Sequence, residues 1–311
     1  MNMAFNMIKK LFGFNTNKPQ INIEMDEKEF KTFINQEKIY LSEKINKDKL
    51  QKVIECVNHV KYDYGHLRNH YHSNIDYSLY MKSDGDVVYS QKNNFGRYYA
   101  KCGLSLMPRE IRNYLCDGNY IDIDMVNSHR VLLEQLFIKY NVPVPEFLIE
   151  YNLDRSETII KYGFSSKIEM FKIMYTDNYD DLPYYENEIL DFHKAIYYNL
   201  LPKLSDYSVP KEYSLKGNKG GVRLSMILQY IENQILLVMI NKCSKLKIKV
   251  SVLIYDGFLI EKEDMRPDLL DILEKQVFIE TGYKIKMIEK TMDTKWEPTN
   301  KLNYNTIQMV L

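Results

Sequence analysis

The chain reads as an α+β protein, an antiparallel sheet covered by helices on one face. Three observations predict it. An apolar, β-branched run from Tyr120 ends in Asp124 and passes into a helix-like stretch, Asn127 to Tyr140. A second such run, from Val250, ends in Tyr255-Asp256-Gly257 and resumes at Phe258, so Asp256-Gly257 reads as a tight turn between two strands. Ahead of that hairpin, Gly217, Gly220 and Gly221 open a long apolar helix, Val222 to Leu246.

The remaining elements fill in around these. Residues 1–25 lack periodicity and read as a loosely ordered arm. Helices are expected over Asp26 to Gln36 and Leu41 to Val60, the second amphipathic through Leu41, Ile45, Leu50, Val53, Ile54 and Val57. Tyr62 to Asn94, rich in Tyr, Asn, Ser, Asp and Gly, reads as an irregular connection. Residues 96–101 fit a short strand and Pro108 to Leu115 a helical turn. Pro143 and Pro145 break the helix that follows Asp124. Ser165 or Ser166 caps a helix to Tyr175, and Pro183 precedes another from Tyr184 to Leu200. After the hairpin come a helix to Thr281 and a last strand, Tyr283–Ile288.

Composition narrows the classes. With 42 Lys+Arg against 42 Asp+Glu, net charge announces no nucleic-acid partner, so any basic groove must come from segregated charge. The 26 tyrosines fit an AT-rich coding sequence as readily as base stacking. Four well-separated cysteines, with no CxxC pair, read as reduced thiols of a cytoplasmic protein. No apolar run approaches membrane-spanning length, and the first residues lack a signal peptide's pattern; the expectation is an intracellular protein with no membrane partner.

The chemistry rests on Asp124 and Asp256, 132 positions apart and each at a strand end. Two carboxylates on adjacent strand ends are ligands for hard divalent cations such as Mg²⁺, and a pair of such ions clamps both oxygens of a phosphoryl transfer. Taken singly, Asp256 is also ordinary turn chemistry and Asp124 a helix cap. Asp122, on the same strand face, is the fallback ligand. His66, His70 and His72 have a spacing that touches on zinc, but no fourth ligand is near in sequence. His193 reads as a helix-surface histidine.

In order and separation, these pieces resemble the palm and fingers of family A nucleic-acid polymerases, the group of bacterial DNA polymerase I, and most of all its compact viral and mobile-element forms. The resemblance covers roughly residues 95–290. Gly96-Arg97, Pro108 and Ile111-Arg112 precede the first aspartate as in the family. Lys167-Ile-Glu-Met-Phe171-Lys-Ile-Met-Tyr175 matches the Lys-x3-Phe-x3-Tyr of the fingers helix, and Gln229 lies on the helix before the second aspartate. The family's Asp-x4-Glu is here Asp124-x4-His129, its His-Asp-Glu is Tyr255-Asp256-Gly257, and an arginine expected four residues before Lys167 is Gly163.

That resemblance implies a right-hand polymerase fold: arm 1–25, a helical, thumb-like region 26–94, palm 95–141 and 222–311, and fingers 142–221, with a reduced thumb. It implies Asp124 and Asp256 as catalytic ligands of two Mg²⁺ ions, with Mn²⁺ a possible substitute. Lys167, Phe171, Tyr175 and His129 would bind the nucleotide. Arg97, Arg112, Lys219, Arg223 and Gln229 would bind nucleic acid, with Lys161 or Lys172 making good the missing arginine. The polar stripe Ser225, Gln229 and Glu232 or Asn233 would face solvent or the primer–template. The implied activity is template-directed extension of a primer by dNTP or rNTP without proofreading, with a helicase or processivity protein as partner. Glutamate at the position of His129 helps the family exclude ribose, so RNA synthesis or priming is the alternative. A silent nucleic-acid-binding replication protein and a two-metal nuclease complete the set. The stretch Lys216-Gly-Asn-Lys219-Gly-Gly-Val-Arg223 lacks the spacing of a Walker loop.

Overall fold

Strand β1 (Lys38–Ser42) buries Ile39 and exposes its neighbours, the alternation that seats a strand on a core. The computed structural model describes residues 38–63, 77–116, 118–177, 187–215, 219–292 and 296–298. The arm at 1–25, the helix expected at 26–36 and the histidines at 66, 70 and 72 lie outside them.

After β1 come α1 (Lys47–Asp63), α2 (Tyr77–Ser83), β2 (Asp86–Gln91) and β3 (Tyr98–Ala100), and β1, β2 and β3 form a three-stranded antiparallel sheet in that order. The helix expected from Leu41 therefore starts later. Leu41 pairs with Val87 in the sheet, and the Asn46 side chain accepts from Lys49 N at 3.0 Å, capping α1. The irregular reading of 62–94 gives way in part to α2 and β2, and the region read as helical carries two strands.

The second half begins with α3 (Arg109–Cys116), β4 (Tyr120–Met125) and α4 (Ser128–Lys139). Helices α5 (Glu146–Leu153) and α6 (Arg155–Lys161), not anticipated, precede α7 (Lys167–Tyr175), which Ser166 caps by accepting from Ile168 N at 3.3 Å. Next come α8 (Asn187–Lys194), continued by a π-helical turn to Leu200, and α9 (Lys219–Lys245). Strands β5 (Val250–Ile254) and β6 (Gly257–Glu261), helix α10 (Leu269–Thr281) and strand β7 (Met287–Lys290) complete the order. The last strand lies two to four residues later than the sequence indicated, because its pairing partner is β4, through Met125↔Met287 to Asp122↔Lys290.

The second sheet is antiparallel with order β5-β6-β4-β7, so the two aspartate strands are neighbours although helices intervene in sequence. One face, with Ile123 and Phe258, is fully buried; α9 packs against β5 and α10, and α10 against β7. Asp122 and Asp124 point to the other face. The protein is thus α+β, with antiparallel sheets and packed helices. Tyr89 joins the sheets, its hydroxyl accepting from Leu253 N at 3.3 Å.

Candidate active site

Gly257 makes the site possible. The turn between β5 and β6 is Tyr255-Asp256, with Tyr255 left-handed at φ 50°, and Gly257 is already strand, paired with Asp124. The glycine is there for space: a Cβ would sit 2.3 Å from the Ile123 carbonyl oxygen. The close approach, with Met125 N donating to the Asp256 carbonyl at 3.2 Å, sets Asp256 beside Asp124.

Burial and then the Asp256 charge push the Asp124 carboxyl up to about 7, against the opposing pull of Lys290. Lys290, on β7, holds Asp124 Oδ2 at 2.5 Å. Asp122 is also raised, chiefly by burial. Among the described residues no group of three or more His, Cys, Asp or Glu side chains forms a metal cage. Two hard carboxylates beside a single ammonium fit an ion of the Mg²⁺ type, which commonly takes one or two protein carboxylates and completes its shell with water and substrate oxygens.

Behind the carboxylates lies a buried polar network. Glu232 on α9, with no solvent exposure, accepts from Arg97 Nε at 2.5 Å and Nη2 at 2.9 Å, from Ser128 Oγ at 2.9 Å, and from His129 Nε2 at 3.2 Å. Burial alone would raise its pKa, but His129 and Arg97 hold it down to about 2. His129 Nδ1 bonds the Tyr175 hydroxyl. A carboxylate only accepts, so Nε2 carries a proton toward Glu232. Ser128 Oγ also lies 3.1 Å from Asp256 Oδ2, so this hydroxyl spans the two acids. Ser128 was missed from the sequence; its place one turn-residue before His129 was the available signal.

The expected nucleotide residues His129, Phe171 and Tyr175 come together, with Phe171 stacked on Tyr175 at 6.0 Å between centroids. Lys167 begins the same helix. The expected nucleic-acid residues are more dispersed. Arg97 is turned inward to Glu232, and its guanidinium lies over the Tyr255 ring at 5.3 Å. Arg112 Nη1 reaches the Met107 carbonyl at 3.5 Å. Arg223 ties down the carbonyls of Leu201 and Leu204 at 3.2 and 2.9 Å, a structural staple. Gln229 bonds Ser225 at 3.0 Å, and Lys219 is exposed at the start of α9.

Three expectations are corrected. Glu232 and Asn233 do not face solvent; both are buried, and Glu232 is satisfied by the network. His193 is fully buried, stacked on Tyr197 at 4.5 Å, and burial lowers its pKa. Lys161 is taken by Glu150, at 2.8 and 2.7 Å, in place of a role at the site.

No protein-family profile matches the chain. It is similar to a Sputnik virophage protein named "Putative helicase V13", with 30% identity over 223 residues, 64% of this chain. The chain spans 28% of that protein's length, so it matches about a quarter of a much longer molecule.

Proposed function

We propose that this chain is a template-directed nucleotidyltransferase of the family A polymerase type, a DNA polymerase extending a primer. The observation that carries the reading is the pairing of Asp124 with Gly257 across β4 and β6, which sets two carboxylates side by side at the ends of antiparallel strands. On this reading the β5-β6-β4-β7 sheet is the palm, α7 belongs to the fingers, and the site works intracellularly on nucleic acid. The virophage relative's helicase name agrees with an enzyme acting on nucleic acid, in a viral replication setting where a helicase or processivity protein is a partner.

Asp124 and Asp256 would hold the cations. A bound pair of Mg²⁺ ions, or Mn²⁺ in their place, supplies the positive charge that phosphoryl transfer requires. Ser128 orients the Asp256 carboxylate, while Glu232 and Arg97 fix Ser128 and His129 from behind. Phe171 and Tyr175 offer ring faces for a base, and Lys167 a cation for phosphate oxygens.

The test is extension of a labelled primer–template by all four dNTPs with Mg²⁺. Asp124→Asn and Asp256→Asn are expected to abolish extension while keeping the wild-type circular dichroism spectrum. Wild-type rates in either variant would remove the reading. Degradation of the primer with Mg²⁺ and no nucleotide would indicate a nuclease instead, and duplex binding without turnover a silent replication protein.

His129 favours a second reading, RNA synthesis or priming, because an imidazole tied to Tyr175 and Glu232 stands where the family carries its ribose-excluding glutamate. Equal incorporation of dNTP and rNTP would favour this one.

A further inference from the structure

Arg130 follows His129 on α4, is only 6% exposed, and its Nε meets no hydrogen-bond partner. No carboxylate among the described residues forms an ion pair with it. Its guanidinium lies over the rings of Phe171, at 4.7 Å, and Tyr151, at 5.7 Å. Ring faces recover only part of the hydration a buried guanidinium gives up, and buried charges are ordinarily paired. Burial lowers its pKa, yet a guanidinium keeps its proton throughout the working range.

A second arginine faces the same place. Arg155, exposed at the start of α6, donates to Asn127 Oδ1 at 3.1 Å. Asn127 is the left-handed residue (φ 49°) linking the Asp124 strand to α4, and its side chain makes no cap bond to that helix. Two arginines thus meet Asn127 where the aspartate strand ends, Arg155 through its guanidinium and Arg130 through its amide at 3.0 Å, and the buried Arg130 side chain keeps an unpaired Nε. An anion is the partner this arrangement lacks.

We propose that Arg130 and Arg155 form the seat for the polyphosphate chain of an incoming nucleoside triphosphate. The seat stands on the two guanidinium groups; naming the anion a nucleotide rests on the nucleotidyltransferase reading. It also resolves the lack of an arginine at Gly163, since Lys161 is engaged by Glu150.

Inorganic tripolyphosphate, titrated by calorimetry into the full chain without metal or nucleic acid, tests the seat alone. Wild type is expected to bind, with affinity about tenfold weaker in Arg155→Ala and in Arg130→Lys, the loss of one charge-assisted contact. The exposed Lys161→Ala variant serves as control and should bind as wild type. Arg155 is exposed, so its variant reports even if the buried lysine variant fails to fold. No binding by wild type, or wild-type affinity in both arginine variants, overturns the proposal. Primer extension separates the two readings. Loss of tripolyphosphate binding in the variants with no extension by wild type keeps the seat and removes the polymerase. Extension with an unchanged dNTP KM in Arg155→Ala keeps the polymerase and removes the seat; the expected result is a KM raised about tenfold with kcat changed less.

Discussion

A methyl group at position 257 would meet the Ile123 carbonyl at 2.3 Å and the Asp124 Cα at 3.1 Å, both backbone atoms that cannot swing aside. Gly257→Ala is therefore expected to force β4 and β6 apart, costing about 1–3 kcal/mol as overpacking does. Urea denaturation would show it, and Mg²⁺-dependent stabilisation would be lost with it. An unchanged midpoint would mean that the strands tolerate the methyl group. Tyr175→Phe tests the network from the other end. It removes the hydroxyl that bonds His129 Nδ1, for a loss of about 1 kcal/mol. A stability gain would show that the tyrosine–histidine contact is not a formed hydrogen bond.

At the scale of elements, Glu43 ties the first sheet together. Only 3% exposed, it accepts from Tyr80 Oη at 2.6 Å, Tyr89 Oη at 3.1 Å and Leu104 N at 3.0 Å. These donors soften an upward shift that burial imposes, leaving its pKa at about 7. Tyr89→Phe removes both a donor to Glu43 and the acceptor for Leu253 N, the link between the two sheets. Local opening of β5, read by amide exchange at Leu253, should then become faster; unchanged exchange would show that apolar packing alone joins the sheets. Against the sequence expectation, helix α9 is long and apolar enough to cross a membrane, but 78% of its most apolar stretch is buried inside the protein, as in a core helix. Leu228 and Leu237 lie on that buried surface. Leu228→Ala should cost about 2–5 kcal/mol in thermal or denaturant unfolding. A cost near zero would place this part of the helix outside the core.

For the whole molecule, the two carboxyl groups raised to about 7 set a pH dependence. Asp124 and Glu43 both stand at about 7, above ordinary values of 3.8 and 4.5. The folded protein therefore keeps protons that the unfolded chain has released. The stability they contribute is complete below the ordinary values and is lost as pH rises through 7. Without divalent cations, the melting temperature should fall between about pH 4 and about pH 7 and level off above. Asp124→Asn should flatten part of that fall and Glu43→Gln another part. Added MgCl₂ should raise the wild-type melting temperature more at the higher pH, and this gain should vanish in Asp124→Asn. A melting temperature that climbs with pH would contradict both raised carboxyls.

Elements whose signals are local were legible in the chain before it folded. The β-branched runs ending in Asp124 and Asp256, the long apolar helix before the hairpin and the Ser166-capped helix to Tyr175 all lie where periodicity and capping put them. Local pattern failed where a distant partner decides. Leu41 left its helical period because β2 offered it a ladder, and β7 moved along the chain because β4 fixed its register. Glu232 looked like a solvent-facing acid until Arg97, His129 and Ser128 arrived from two other segments to satisfy it. The sequence could nominate two aspartates, but only tertiary structure could set them side by side and place Lys290 against one of them. The reason is physical. Helix and turn signals are set by neighbours a few residues away, whereas strand pairing and the partnering of buried charge are settled between groups tens to more than a hundred residues apart.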